Sequence, residues 1–297
     1  MRRLHLLPAL LALALSACAP VTTLRAAQTP LLNLSGPAPD VVILAVSGHC
    51  PVTSICRAAR DNYDYLSHYG TLDALAQPFL AAGLRVEIAG YASGAFEINT
   101  DAPLRPGQRG WPALRRDYLA LHQVWAAHPP RVIMVGHSHG VAWLHQLARQ
   151  TPQYPVAVQI DLDAICAAWE TNYRAGLSRL PAEVQGEPPI TEACTPQRVR
   201  DGWARGKDIV WDNVERNLEV QSMRPWNRRT LLSPEPLNPL WEVSPNVRPD
   251  GSRRGITTAY DVSEGHSQVD QPDSKAVQWL VTELTPLAQA WAAQAPR

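Results

Sequence analysis

The sequence carries no net charge, because 27 lysines and arginines offset 27 aspartates and glutamates. Such a balance leaves no electrostatic footprint for an acidic surface, and no nucleic-acid partner is expected. Lysine itself is nearly missing. Lys207 and Lys275 are the only two, and beside the abundant alanine and proline this reads as the codon bias of a GC-rich genome, not as chemistry. The five cysteines include no C-x-x-C spacing. Neither a zinc site nor a redox dithiol is therefore supported, and no metal or cofactor is expected. No internal repeat is visible. What is present is globular: 297 residues, 45% hydrophobic and 18% charged, enough for one large α/β domain or two small ones.

The N-terminus has the form of an export signal. Arg2 and Arg3 precede an apolar stretch, Leu6 to Leu15, which is too short for a permanent membrane span. Leu15-Ser16-Ala17-Cys18 follows. This tetrapeptide resembles the bacterial lipobox, whose cysteine receives a diacylglycerol and begins the mature protein. The resemblance implies a signal peptide over 1–17 and an acylated Cys18. Acyl chains there hold a protein on a membrane face without spanning it, which places this one outside the cytoplasm in the cell envelope. Residues 18–40 include four prolines and no clear periodicity, and read as a tether to a domain over 41–297. Setting Cys18 aside leaves Cys50, Cys56, Cys166 and Cys194, an even number in a compartment where disulfides persist. Cys50–Cys56 with Cys166–Cys194 is the preferred connectivity, since each pair lies within one expected loop; four separate buried thiols is the other reading.

Along the domain, short apolar runs alternate with helical periodicity. Val41 to Val46, Leu84 to Ala89, Val132 to Val135 and Val156 to Leu162 predict buried strands. Asn217 to Ser222 and Ile256 to Val262 predict later, more alternating ones. Helices are expected over Thr71 to Ala82, Trp111 to His128, Val141 to Arg149 and Ser274 to Ala293. Strands alternating with helices call for a largely parallel sheet covered on both faces. Two segments interrupt the alternation. Residues 164–208 have the character of a lid or cap insertion, and Met223 to Arg254 is rich in Pro, Arg and Trp. Trp203, Trp211, Trp226 and Trp241 fall in or near these segments. Two readings stay open for them: lining of an apolar acyl pocket, or packing of the insertions onto the sheet.

The most informative residues are Gly136-His137-Ser138-His139-Gly140. G-x-S-x-G alone is a weak pattern. Here a buried strand runs into it and an amphipathic helix runs out, which is the context of a nucleophile elbow. The turn holds the serine out above the sheet, and Gly136 and Gly140 stand where a Cβ would clash. The helix N-terminus behind the serine aims the backbone N–H of His139 at a developing oxyanion. Elbow, element order and lipobox together resemble an α/β-hydrolase of the lipase and esterase kind carried on a bacterial lipoprotein. One departure is Val141, where many lipases and esterases have a further glycine, so the helix is expected to sit slightly farther from the strand.

In that fold the chain order is serine, acid, histidine. Of nine histidines only His266 follows the elbow helix, in a loop just after an expected strand. Two acids, Asp161 and Asp163, lie at the end of the strand after that helix. Asp163 is preferred because it falls at the C-terminal strand edge, where sites of open α/β sheets collect, and because Leu162-Asp163-Ala164 resembles the Leu-Asp-Pro of lipases whose acid follows this strand. Alternation puts Asp161 on the same side as the second candidate. A rival arrangement takes the acid one strand later, from Glu235, Glu242 or Asp250. The second oxyanion donor is expected from the backbone N–H of His49 or Cys50, in the loop after the first strand. The sequence therefore points to an ester-cleaving serine hydrolase, with esters, among them lipids, as substrates and the membrane as a partner through Cys18. A non-catalytic binding module on the same fold is the competing class, and thioester or peptide cleavage would use the same residues.

Overall fold

The computed structural model describes residues 31–48, 64–95, 109–223 and 242–294. Among the described residues six parallel strands form the main sheet: β1 (Val41–Val46), β2 (Val86–Tyr91), β3 (Arg131–His137), β4 (Val156–Leu162), β7 (Val214–Ser222) and β8 (Ile256–Asp261). Their spatial order is β2-β1-β3-β4-β7-β8, with every neighbouring pair parallel. A small antiparallel hairpin, β5 (Pro196–Val199) and β6 (Gly202–Arg205), stands apart. The helices are α1 (Tyr65–Tyr69), α2 (Thr71–Ala81), α3 (Trp111–Val124), α4 (His139–Gln150), α5 (Trp169–Leu177), α6 (Ala182–Gln185) and α7 (Lys275–Gln294). This is a parallel sheet covered by helices on both faces.

The apolar runs explain the layers. All six residues of β1 are buried, as expected of a strand covered on both faces. Successive side chains point to opposite sides, so Val42, Leu44 and Val46 join Trp111, Tyr118, Trp143 and Leu144 from α3 and α4 in one core. Val41, Ile43 and Ala45 join Leu72, Phe79, Leu280 and Leu284 from α2 and α7 in the other. Of the boundaries that differ from expectation, two have a visible cause. Strand β2 starts at Val86, because pairing of Val41 with Val86 sets its register. Helix α3 ends at Val124; Trp125 leaves it with its indole N–H donated to the Gly36 carbonyl at 3.2 Å.

The segment over 164–208 is built into the first core. Trp169, Tyr173 and Leu177 of α5 are buried there beside Trp143. The Cys166–Cys194 disulfide closes the segment on itself, with 5.6 Å between Cα atoms. Cys50 and Cys56 lie outside the described residues. Trp211 packs against the same core and lies under the Arg149 guanidinium, which matches the packing reading. Trp203 is 67% exposed on β6. Trp226 and Trp241 lie outside the described residues. Among the described residues no helix is long and apolar enough to cross a membrane.

Candidate active site

The strand C-termini gather at one edge, and the singled-out residues gather with them. Ser138 follows β3 directly, is buried, and sits at φ 59°, ψ −128°. A non-glycine residue there is strained, and such strain survives only where neighbours enforce it. The neighbours are visible. A Cβ on Gly136 would stand 2.7 Å from the Val141 backbone, and one on Gly140 would stand 1.9 Å from the Val46 carbonyl oxygen. The approach of helix to strand at Val141 is therefore close, not loosened as its side chain leads one to expect. Gly48, after β1, presses on the serine itself, where a Cβ would lie 2.6 Å from the Ser138 Cβ.

Asp163 and His266 come together from 103 residues apart, with His266 Nδ1 at 2.7 Å from Asp163 Oδ2. Asp163 is fully buried and lies one residue past β4 at φ 53°. That left-handed step turns its carboxylate across the end of β7. There the Ser222 backbone N–H and hydroxyl both donate to it, each at 2.6 Å. Ser222 was not visible as a site residue in the sequence. It is 59 positions away and carries no local motif.

Asp161 is excluded from this group. The turn at Asp163 breaks the alternation that put the two acids on one side. Asp161 Oδ2 instead accepts from Asn217 Nδ2 at 2.6 Å, Asn246 Nδ2 at 2.8 Å and His145 Nε2 at 2.9 Å. The other His145 nitrogen donates to the Ile209 carbonyl at 2.7 Å. Two acceptor-only partners require protons on both nitrogens. Burial alone would depress the His145 pKa, but the Asp161 carboxylate and these hydrogen bonds outweigh it and leave it raised. The pair is a buried ionic clamp between α4 and β4. Of the rival acids, Glu242 accepts from Cys166 N–H and Arg205, Asp250 accepts from Ser252 N–H, and Glu235 lies outside the described residues.

The two histidines flanking the serine diverge. His139 Nε2 donates to the Ala167 carbonyl at 2.7 Å, and its Nδ1 lies 3.1 Å from the Tyr173 hydroxyl. It thereby ties the elbow helix to α5. His137 turns the other way, under His266, with ring centroids 4.6 Å apart. Its Nε2 lies 2.9 Å from the His266 carbonyl oxygen, and its Nδ1 meets the Tyr65 hydroxyl. That hydroxyl also accepts the Gly48 N–H at 2.6 Å. His49 and Cys50, the expected source of a second oxyanion donor, lie outside the described residues. Among the described residues no three of His, Cys, Asp and Glu converge as ligands for a metal.

These imidazoles have a measurable consequence. Burial, helped by neighbouring His266, holds His137 well below the ordinary 6.5. Burial also lowers His139 and His122 to about 4 each. All three are neutral in the fold and must take protons when acid unfolds it. Their contribution is complete above pH 6.5 and is lost as pH falls toward about 4. Asp64, raised by burial to about 6, works in the opposite sense, as do Asp208 and Glu219, which burial also raises. Between pH 6.5 and pH 4 the thermal midpoint of His139→Gln should therefore lose less, relative to its own value at pH 6.5, than that of the wild type. Parallel pH profiles of the two proteins over that interval contradict the assignment.

No protein-family model matches the chain, and no curated protein matches it. Solved structures resemble it only distantly. An esterase of Pyrobaculum calidifontis aligns at TM-score 0.46 and 11% identity, over 87% of this chain and 79% of that one. An arylesterase aligns at 0.44 and 8%, over 86% and 77%. An esterase of the bacterial hormone-sensitive lipase family aligns at 0.44 and 14%, over 87% and 79%. What the site can do follows from its own residues.

Proposed function

We propose that the chain is a membrane-anchored, extracytoplasmic serine hydrolase that cleaves carboxylic esters through Ser138, His266 and Asp163. The supporting observation is the 2.7 Å contact between Asp163 and His266 Nδ1 at the strand edge that carries the strained serine. Asp163 accepts the Nδ1 proton, which leaves Nε2 unprotonated and able to act as base. His266 takes the Ser138 hydroxyl proton as Oγ attacks the ester carbonyl carbon. The carbonyl oxygen becomes an oxyanion, met by the His139 N–H at the start of α4 and by the backbone N–H of His49 or Cys50. On collapse the C–O bond breaks, His266 returns its proton to the departing alkoxide, and an acyl-serine remains. Water repeats the sequence in reverse, giving a carboxylic acid and free Ser138.

A serine-directed phosphonate probe tests the reading on the full chain. It should label the wild type and leave Ser138→Ala unlabelled. Labelling of neither would support the non-catalytic binding module instead, and equal labelling of both would place the nucleophile at a residue other than Ser138. Turnover of thioesters or peptides in preference to esters would reassign the substrate class. The anchor is tested separately. Cys18→Ser should move the protein from the membrane fraction to the soluble fraction, because the acyl chains on Cys18 are the proposed anchor. Retention on membranes in that variant would refute the lipobox reading.

A further inference from the structure

We propose that His137 is a positioning residue for His266, set in one tautomer by the Tyr65 hydroxyl, so that the base loop and the Gly48 turn are held by one directed hydrogen-bond chain. The inference rests on the Ser138–His266–Asp163 reading. It comes from three hydrogen bonds that the chemistry above does not use. The His266 carbonyl can only accept, so His137 Nε2, at 2.9 Å, carries the proton. Burial keeps the ring neutral, so Nδ1 is bare and the Tyr65 hydroxyl donates to it. The phenol oxygen then accepts the Gly48 N–H at 2.6 Å. Every group acts in the one direction open to it.

The chain has a fixed origin. Tyr65 opens α1, whose capping residue Asp64 accepts the Ser67 N–H at 3.2 Å and the Ser47 hydroxyl at 3.3 Å. The Leu66 N–H donates back to the Ser47 oxygen at 3.0 Å. Helix α1 is therefore pinned to the end of β1, and the tyrosine ring meets His137 edge-on at 5.6 Å between centroids. At the far end, His137 both supports the His266 ring and holds its backbone carbonyl.

Neutrality matters as much as position. Among the described residues, the titratable groups facing His137 are Tyr65, His266 and Asp270, whose Oδ2 lies 3.8 Å from His137 Nδ1. A proton on Nδ1 would be attracted by Asp270 and would place a cation against His266, which must itself become a cation in each half-reaction. The tyrosine donor occupies Nδ1 and withholds that proton.

The test uses the full chain and a short-chain p-nitrophenyl ester. Tyr65→Phe should lower kcat about tenfold, the scale of one ordinary hydrogen bond, with KM little changed. Its acid limb of kcat/KM should gain a second ionisation as His137 titrates. His137→Leu should lose at least as much rate but show a single ionisation. His137→Gln, whose amide N–H can serve the His266 carbonyl, should recover most of the rate, and the double variant Tyr65→Phe/His137→Gln should return to one ionisation. Unchanged kcat and acid limb in Tyr65→Phe overturn the proposal. So does an equal fall in every variant with the pH profile unmoved, which is a merely structural effect. If His137→Leu fails to fold by circular dichroism, Tyr65→Phe and His137→Gln still decide. Full activity in Ser138→Ala would overturn the underlying reading instead, and is scored separately.

Discussion

Replacing Ser138 with alanine is expected to cut kcat for ester hydrolysis by about five to six orders of magnitude, the loss that follows removal of the nucleophile from a cooperating triad. The thermal midpoint should barely move. The φ of 59° is imposed by contacts of Gly48, Gly136 and Gly140 with their surroundings, and these do not involve the hydroxyl. Alanine suffers the same backbone strain as serine. Active-site titration of both proteins, with melts run in parallel, separates lost chemistry from lost fold. Activity within tenfold of wild type would end the elbow assignment.

Asp163→Asn is expected to lower kcat by about three to four orders of magnitude. The carboxylate accepts from His266 and from both donors of Ser222. An amide must turn one N–H group toward a donor. If it faces His266, the imidazole proton moves to Nε2 and the ring can no longer take the serine proton. Asp161→Asn provides the contrast. It strips the carboxylate from the buried His145 clamp, so its cost falls on stability, about 3 kcal/mol by the usual penalty for breaking a buried pair. Its kcat should fall far less. Equal and modest losses of kcat in both variants would place the acid elsewhere.

The sequence by itself determined the class of fold, because a parallel sheet covered on both faces needs strands that are apolar throughout, and Val41–Val46 and Val132–Val135 carry that pattern in consecutive residues. It also determined the elbow: the glycine spacing, strand and helix all lie within a window of about 20 residues. The single histidine downstream and the acid after β4 were legible from chain order. Tertiary structure decided the rest. Asp163 separates from Asp161 only because one left-handed residue turns it toward Ser222, 59 positions on. Trp203 and Trp211 look alike in the chain, yet one is exposed and the other packed. His137, Tyr65 and Gly48 meet across 72 and 17 positions. Local pattern specifies which face of an element is apolar. Which polar groups meet at the strand ends depends on how crossovers order the strands and where each chain turns, and a hydrogen bond between distant residues leaves no periodicity to read.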